Sequence, residues 1–137
     1  MTPAFSALDT AVRETMKDRL DEAAEDLLAE IKSEMSKSKS GKKWPRLPNR
    51  SSARGEAPAI QSGALEKTTI IKKIDGNTRH IGYIGDDAEA NDYGTILELY
   101  WSRPALRLAV RQKAAEMSAI LGKKGLHSFP VRKRSLI

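Results

Sequence analysis

The residues of this 137-residue chain best suited to chemistry are two histidines, a run of closely spaced acids and a scatter of glycines. His80 alternates with Ile81 in a stretch that reads as a strand, and His127 lies far along the chain in a basic segment. Neither has a nucleophile or a pair of carboxylates near it in sequence, as general acid–base or nucleophilic catalysis requires. Asp86, Asp87, Glu89 and Asp92 carry the oxygen ligands that a hard cation takes, but without the central glycine and closing glutamate of an EF-hand loop. They read as a solvated acidic loop. Gly41, Gly55, Gly63, Gly82, Gly85 and Gly94 are dispersed, and none belongs to a strand-to-helix loop that would cradle a phosphate. The chain has no cysteine, which removes disulfides, thiolate metal sites and thiol nucleophiles. The expectation is a protein without catalytic residues, metal or cofactor.

Charge offers more. The formal net charge of +6 is unevenly distributed. Residues 1–31 carry three basic and eight acidic side chains, net −5, whereas residues 32–54 carry eight basic and one acidic, net +7. Residues 55–121 are close to neutral, and residues 122–137 carry five basic side chains and no acid. An acidic first element is thus followed by a basic loop, and the chain closes on a basic arm.

The elements that must position these charges emerge from periodicity. Phe5, Leu8, Val12, Met16, Leu20, Ala24, Leu27, Leu28, Ile31 and Met35 recur at spacings of three and four, which predicts a long amphipathic helix. Thr2 is placed to cap it and Pro3 suits its first turn. About 33 residues at 1.5 Å each give roughly 50 Å, longer than a domain of this size is wide, so part of the helix should project or bend. From Ser36 to Ser62 the period vanishes, and Ser, Lys, Arg, Gly and Pro surround a lone aromatic, Trp44. This predicts an extended loop (36–62) too polar to order on its own. Two runs rich in β-branched residues, beginning at Leu65 and Thr78, flank Asp75, Gly76 and Asn77 and predict an antiparallel hairpin. A loop or one helical turn over Gly85–Asp92, punctuated by Gly94, and a third strand over Ile96–Trp101 complete a small sheet of three to four strands. Ser102 is then placed to cap a last helix whose buried face is Leu106, Val110, Ala114, Met117 and Leu121, with Pro104 in its first turn and Gly122 closing it. The expected architecture is one α+β domain over residues 1–121, with the last helix packed on the sheet and residues 122–137 as an arm. No stretch approaches the roughly 20 apolar residues that cross a bilayer, so neither membrane nor export is expected.

Taken in order, the loop and the segments C-terminal to it resemble the tail-completion and head-tail joining proteins of siphophages. Those proteins carry a Ser-Gly-Lys, aromatic, Pro segment, matched here by Ser40, Gly41, Lys42, Trp44, Pro45 and Arg46. A Gly-Glu-Ala-Pro stretch comes next at Gly55, Glu56, Ala57 and Pro58, running into Ser62, Gly63, Ala64 and Leu65, where Ser62 replaces the usual Thr. Tyr93, Gly94 and Thr95 match an aromatic-Gly-Thr step. Arg103, Pro104, Ala105 and Leu106 match the Arg-Pro opening of the last helix, Ala105 replacing the usual Phe. The resemblance covers about half the chain and implies a minor tail protein of the virion, a neck subunit or tail terminator assembled in the bacterial cytoplasm. It implies a ring of roughly six copies joining connector or stopper proteins to the tail tube, with DNA present only as genome passing through the channel.

Two residue groups would then meet between subunits. Glu14, Asp18, Glu22, Glu25 and Asp26 of the first helix are expected to face Lys42, Lys43, Arg46, Arg50 and Arg54 of the adjacent loop, with Trp44 in a pocket formed partly by a neighbour. The rival reading of the basic loop and arm is a small architectural DNA-binding protein, although no helix-turn-helix, zinc module or aromatic platform accompanies them.

Overall fold

The computed structural model describes residues 3–122; the expected Thr2 cap and residues 123–137 of the basic arm lie outside them. In chain order the elements are α1 (Pro3–Ser36), α2 (Ala64–Thr68), β1 (Thr69–Asp75), β2 (Thr78–Tyr83), α3 (Ala88–Leu99) and α4 (Ala105–Leu121).

The first helix forms as its sequence predicts, with no Gly or Pro after Pro3 to interrupt 34 residues. Its burial is uneven along its length. Residues 6–14 are exposed, including Leu8 at 60% and Val12 at 39%, so the first turns project as an arm. From Arg19 onward one face is buried through Ala23, Ala24, Ile31, Glu34 and Met35. That face lies against α4, which runs antiparallel to it: the Arg19 guanidinium donates to the Ile120 carbonyl at 3.4 Å, and Lys113 pairs with Asp26 at 3.6 Å.

The last helix therefore packs along α1, not on the sheet as expected. Its buried line is Ala105 and Ala109, both without exposed surface, while Leu106, Val110, Ala114, Met117 and Leu121 are only half-buried. The physical reason is size. Alanines on both facing helices allow the axes to approach closely, and the larger side chains fill the flanks. The core is completed by Ile31, Met35, Ala57 and Tyr83.

Among the described residues the sheet has two strands, fewer than expected. The hairpin turn falls where Asp75, Gly76 and Asn77 predict it, with Asp75 Oδ1 accepting from the Asn77 amide at 2.7 Å. Its register pairs Thr69 with Tyr83 and Ile71 with Ile81. Leu65 belongs to the short helix α2, one turn before the strand begins. The hairpin is fastened to α1 by Asp21, whose carboxylate meets Arg79 Nε at 2.7 Å and Lys73 Nζ at 3.4 Å. The hydrogen bond from Arg79 holds the Asp21 carboxyl below the usual carboxylate range.

The expected third strand is helix. Asp87 caps α3 by accepting from the Ala90 amide at 3.1 Å, and Ala90, Gly94, Leu97 and Glu98 turn inward at helical spacing. Gly94, which reads from sequence as a break, is a point of close approach. A side chain there would begin 2.6 Å from the Tyr83 ring and 2.7 Å from Leu65, so a mid-helix glycine is what lets hairpin and helix touch.

Nor does Ser102 cap α4. Its φ of 55° takes the chain through a left-handed turn, and Pro104 precedes the helix without a side-chain cap. The cap comes from α3: Glu98, 5% exposed, accepts from the Leu106 amide at 2.9 Å and the Arg107 amide at 3.3 Å, with Arg107 Nε at 3.8 Å. Burial raises the Glu98 carboxyl above its ordinary range against the lowering pull of those donors. Burial and the neighbouring Glu98 charge likewise push the Tyr83 phenol up.

Replacing Glu98 by Ala should lower the unfolding free energy by about 2 kcal/mol, since it removes a cap and strands buried amides. The sign of the pH effect is equally determined. A carboxyl whose folded pKa is raised contributes stability that is full below its unfolded pKa and is lost as pH rises through the folded one. The stability difference between the native chain and Glu98→Gln should therefore shift against the native chain from about pH 4 to about pH 8, as measured by urea denaturation.

Candidate assembly surface

The loop between α1 and α2 is irregular, as expected, yet it is fastened at many points within one chain. Its two legs meet where the Gly41 amide donates to the Ser51 carbonyl at 2.8 Å and the Ser51 amide donates to the Lys42 carbonyl at 2.9 Å. A Cβ at Gly41 would stand 2.3 Å from the Ser51 oxygen, so only glycine permits this crossing. Pro45 lies in the turn closed by the Leu47 amide on the Trp44 carbonyl at 3.2 Å. Glu56 Oε1 accepts from the Ser40 amide at 3.1 Å and the Ala53 amide at 2.6 Å, and these bonds, Ala53 first, hold its carboxyl below the usual range.

Of the residues quoted for the resemblance, Gly41, Gly55, Glu56 and Arg103 bond within or to this loop. Gly55 donates to the Ser102 carbonyl at 2.7 Å, and Arg103 Nε donates to the Ser52 carbonyl at 3.2 Å, so the Arg-Pro step before α4 holds the loop. Pro58 is buried beside Ala57. Gly63 precedes α2, Leu65 packs against the core, and Thr95 Oγ1 donates back to the Asn91 carbonyl at 2.9 Å. Between this loop and α3 runs a groove of about 500 Å³ whose walls include Met35, Leu47, Ile60, Leu65, Tyr93 and Leu97.

The charged candidates fall on two outer surfaces. Glu14, Asp18, Glu22 and Glu25, spaced by four, four and three, are all exposed on the side of α1 turned away from α4. Asp26 is different: it is half-buried and pairs with Lys113 of its own chain. Lys42, Lys43, Arg46, Arg50 and Arg54 are all exposed, and among the described residues none of them lies within ion-pair distance of a carboxylate. Lys42, Lys43 and Arg50 turn instead to their own loop. Lys42 Nζ sits 3.9 Å over the Trp44 ring, Lys43 Nζ donates to the Trp44 carbonyl at 3.1 Å, and Arg50 donates to the Gly41 carbonyl at 3.2 Å. Trp44 itself is 46% exposed, outside the core of its chain.

Sequence reasoning missed a second apolar surface. Tyr93, Ile96, Leu99, Tyr100 and Trp101 are all exposed on α3 and the turn after it, and Tyr93 meets Trp101 edge to face at 6.5 Å. The spacing of Tyr93, Ile96 and Tyr100 by three and four is the available signal, hidden while the segment reads as a strand.

Among the described residues no three His, Asp or Glu side chains converge to hold a metal ion, and His80 is exposed on β2. No helix among them is long and apolar enough to cross a membrane. Comparison with protein-family models, curated proteins and solved structures finds no match to the chain.

Replacing Glu56 by Ala should raise amide exchange across residues 40–55 while α1 and α4 keep their protection, because it removes the acceptor shared by both legs. Since the Glu56 carboxyl is held low, its contribution is present above the ordinary carboxyl range and is lost as pH falls through the folded pKa. Acid should thus loosen the loop of the native chain toward the behaviour of the variant. Exchange followed by mass spectrometry checks both; unchanged loop protection in the variant would place the fastening elsewhere.

Proposed function

We propose that this chain is a structural subunit of the bacteriophage neck, a tail-completion or head-tail joining protein that forms a ring between connector and tail tube. One observation carries the reading: an acidic outer face on α1 and a basic loop lie on separate surfaces of the same molecule, both exposed. Such a subunit has two different faces to offer its neighbours, as a cyclic assembly with heterologous contacts requires. The resemblance in order and type of residues to the siphophage proteins suggests the setting. The convergence of Gly41, Gly55, Glu56 and Arg103 on one fastened loop gives those matched positions a shared physical task.

Exposed ion pairs contribute only about 0 to 1 kcal/mol each, so the charges act on encounter and register more than on total affinity. Reversing Arg46 and Arg50 to Glu should slow assembly of the purified chain about tenfold or more and reduce the rings counted in electron micrographs. Adding Asp18→Lys and Glu25→Lys in the same chain should recover both. Assembly of the native chain should slow as ionic strength rises. Salt-insensitive association with no recovery in the quadruple variant would remove this reading's main support. If the native chain instead retards duplex DNA with a steep salt slope and forms no rings, the basic loop belongs to a DNA-binding protein.

A further inference from the structure

The groove between the loop and α3 is apolar along its walls and acidic at one side. Glu66, Asp87 and Glu89 line it beside the apolar residues, and among the described residues no Lys or Arg does. Asp86 and Asp92, neighbours of these acids in the chain, are exposed. None of the five lies within ion-pair distance of a base among the described residues, and Asp87 is engaged in capping α3. The bases of the neighbourhood stand outside the groove. Arg50 borders a second cavity with Lys37 and Lys39, Lys67 borders a separate hollow, and Arg46 and Arg54 are exposed. An apolar groove with uncompensated carboxylates fits an occupant that is both apolar and basic.

One segment of this chain has that chemistry. Residues 123–137, outside the described ones, carry five bases and no acid. The bases fall in two groups, Lys123 and Lys124, then Arg132, Lys133 and Arg134, on either side of Leu126, Phe129 and Val131. Pro130 lacks an amide and biases Phe129 toward extended backbone, which suits a segment lying along a groove. The reach is sufficient. Ile120, near the end of α4, lies beside Arg19, and Met35 of the groove wall is 16 residues further along α1, roughly 24 Å away. Phe129, eight residues past Leu121, can extend about 27 Å, and the full segment about 50 Å. A segment tethered so closely meets the groove at an effective concentration of about millimolar, which favours it over a separate partner.

We propose that residues 123–137 dock in the groove of their own chain, with Phe129 and its apolar neighbours between Leu47, Ile60 and Tyr93 and the flanking bases at Glu66 and Glu89. The groove is then covered in the single chain by its own basic arm. This does not depend on the ring-forming reading.

Limited trypsin digestion of the full chain, followed by mass spectrometry, tests the docking, because the arm carries five cleavage sites. In the native chain at low salt these sites should be cut slowly. Glu66→Lys with Glu89→Lys should speed cleavage within residues 123–137 about tenfold, as should Phe129→Ser, because cleavage follows the undocked population. Added salt should speed it in the native chain. Circular dichroism checks the fold; if the Glu66 and Glu89 variant loses helix, Phe129→Ser carries the test, since it changes no residue of the groove. Because the chain has no cysteine, Tyr93→Cys with Phe129→Cys should form a disulfide within one chain, seen as monomer on a non-reducing gel. A native arm cut as fast as in the variants, or a slow arm that neither variant releases, would overturn the inference. Disulfides formed only between chains would give the groove to a neighbour's arm and overturn it equally.

Discussion

A single carboxylate sets the geometry on which the outer surfaces depend. Glu98 sits at the end of α3, buried, and its two oxygens accept from the first amides of α4. Helix starts leave amides without partners, and here the partner is carried by the preceding helix instead of the residue before the start. The turn between the two helices is thereby held from the inside. Its side chains, Tyr100 and Trp101, point away from the core, and its backbone passes through the left-handed conformation at Ser102. Moving Glu98 would move both the axis of α4 against α1 and the place where the aromatic face ends.

That turn also serves the loop. The carbonyl of Ser102 accepts from Gly55 and the guanidinium of Arg103 reaches the Ser52 carbonyl, so the irregular segment is tied to the same corner that Glu98 fixes. Composition alone makes residues 36–62 look unable to order themselves, because so few side chains are apolar. Backbone groups provide what side chains do not: Gly41, Ser51, Ser40, Ala53 and Gly55 are all engaged through amides or carbonyls. Lys42, Lys43 and Arg50 are left at the outside, where they sit over Trp44 or on loop carbonyls.

What is legible in the sequence divides along physical lines. Local signals suffice for α1 and for the Asp75–Asn77 turn, since each depends on period or turn chemistry. A third strand is the wrong reading of Ile96–Trp101, a stretch rich in residues that favour strands. The deciding facts are tertiary: a cap at Asp87 and the contact of Gly94 with Tyr83 and Leu65. The packing of α4 on α1 escapes notice because alanines such as Ala105 and Ala109 carry little hydrophobic signal, yet they mark where two helices come closest. Of the candidate surface, the charge split is visible in the sequence. The aromatic face is not, because it exists only once the segment is helical.

The two outer surfaces also explain why the core is small for the length of α1. Burial along that helix begins near Arg19, and α4 ends beside it at Ile120, so the antiparallel pair covers only the second half of α1. Among the described residues, the helix continues past the end of α4 with Leu8 and Val12 exposed. At the other end of the molecule α3 exposes its aromatic side chains beside the basic loop. Neither exposure stabilises the single chain.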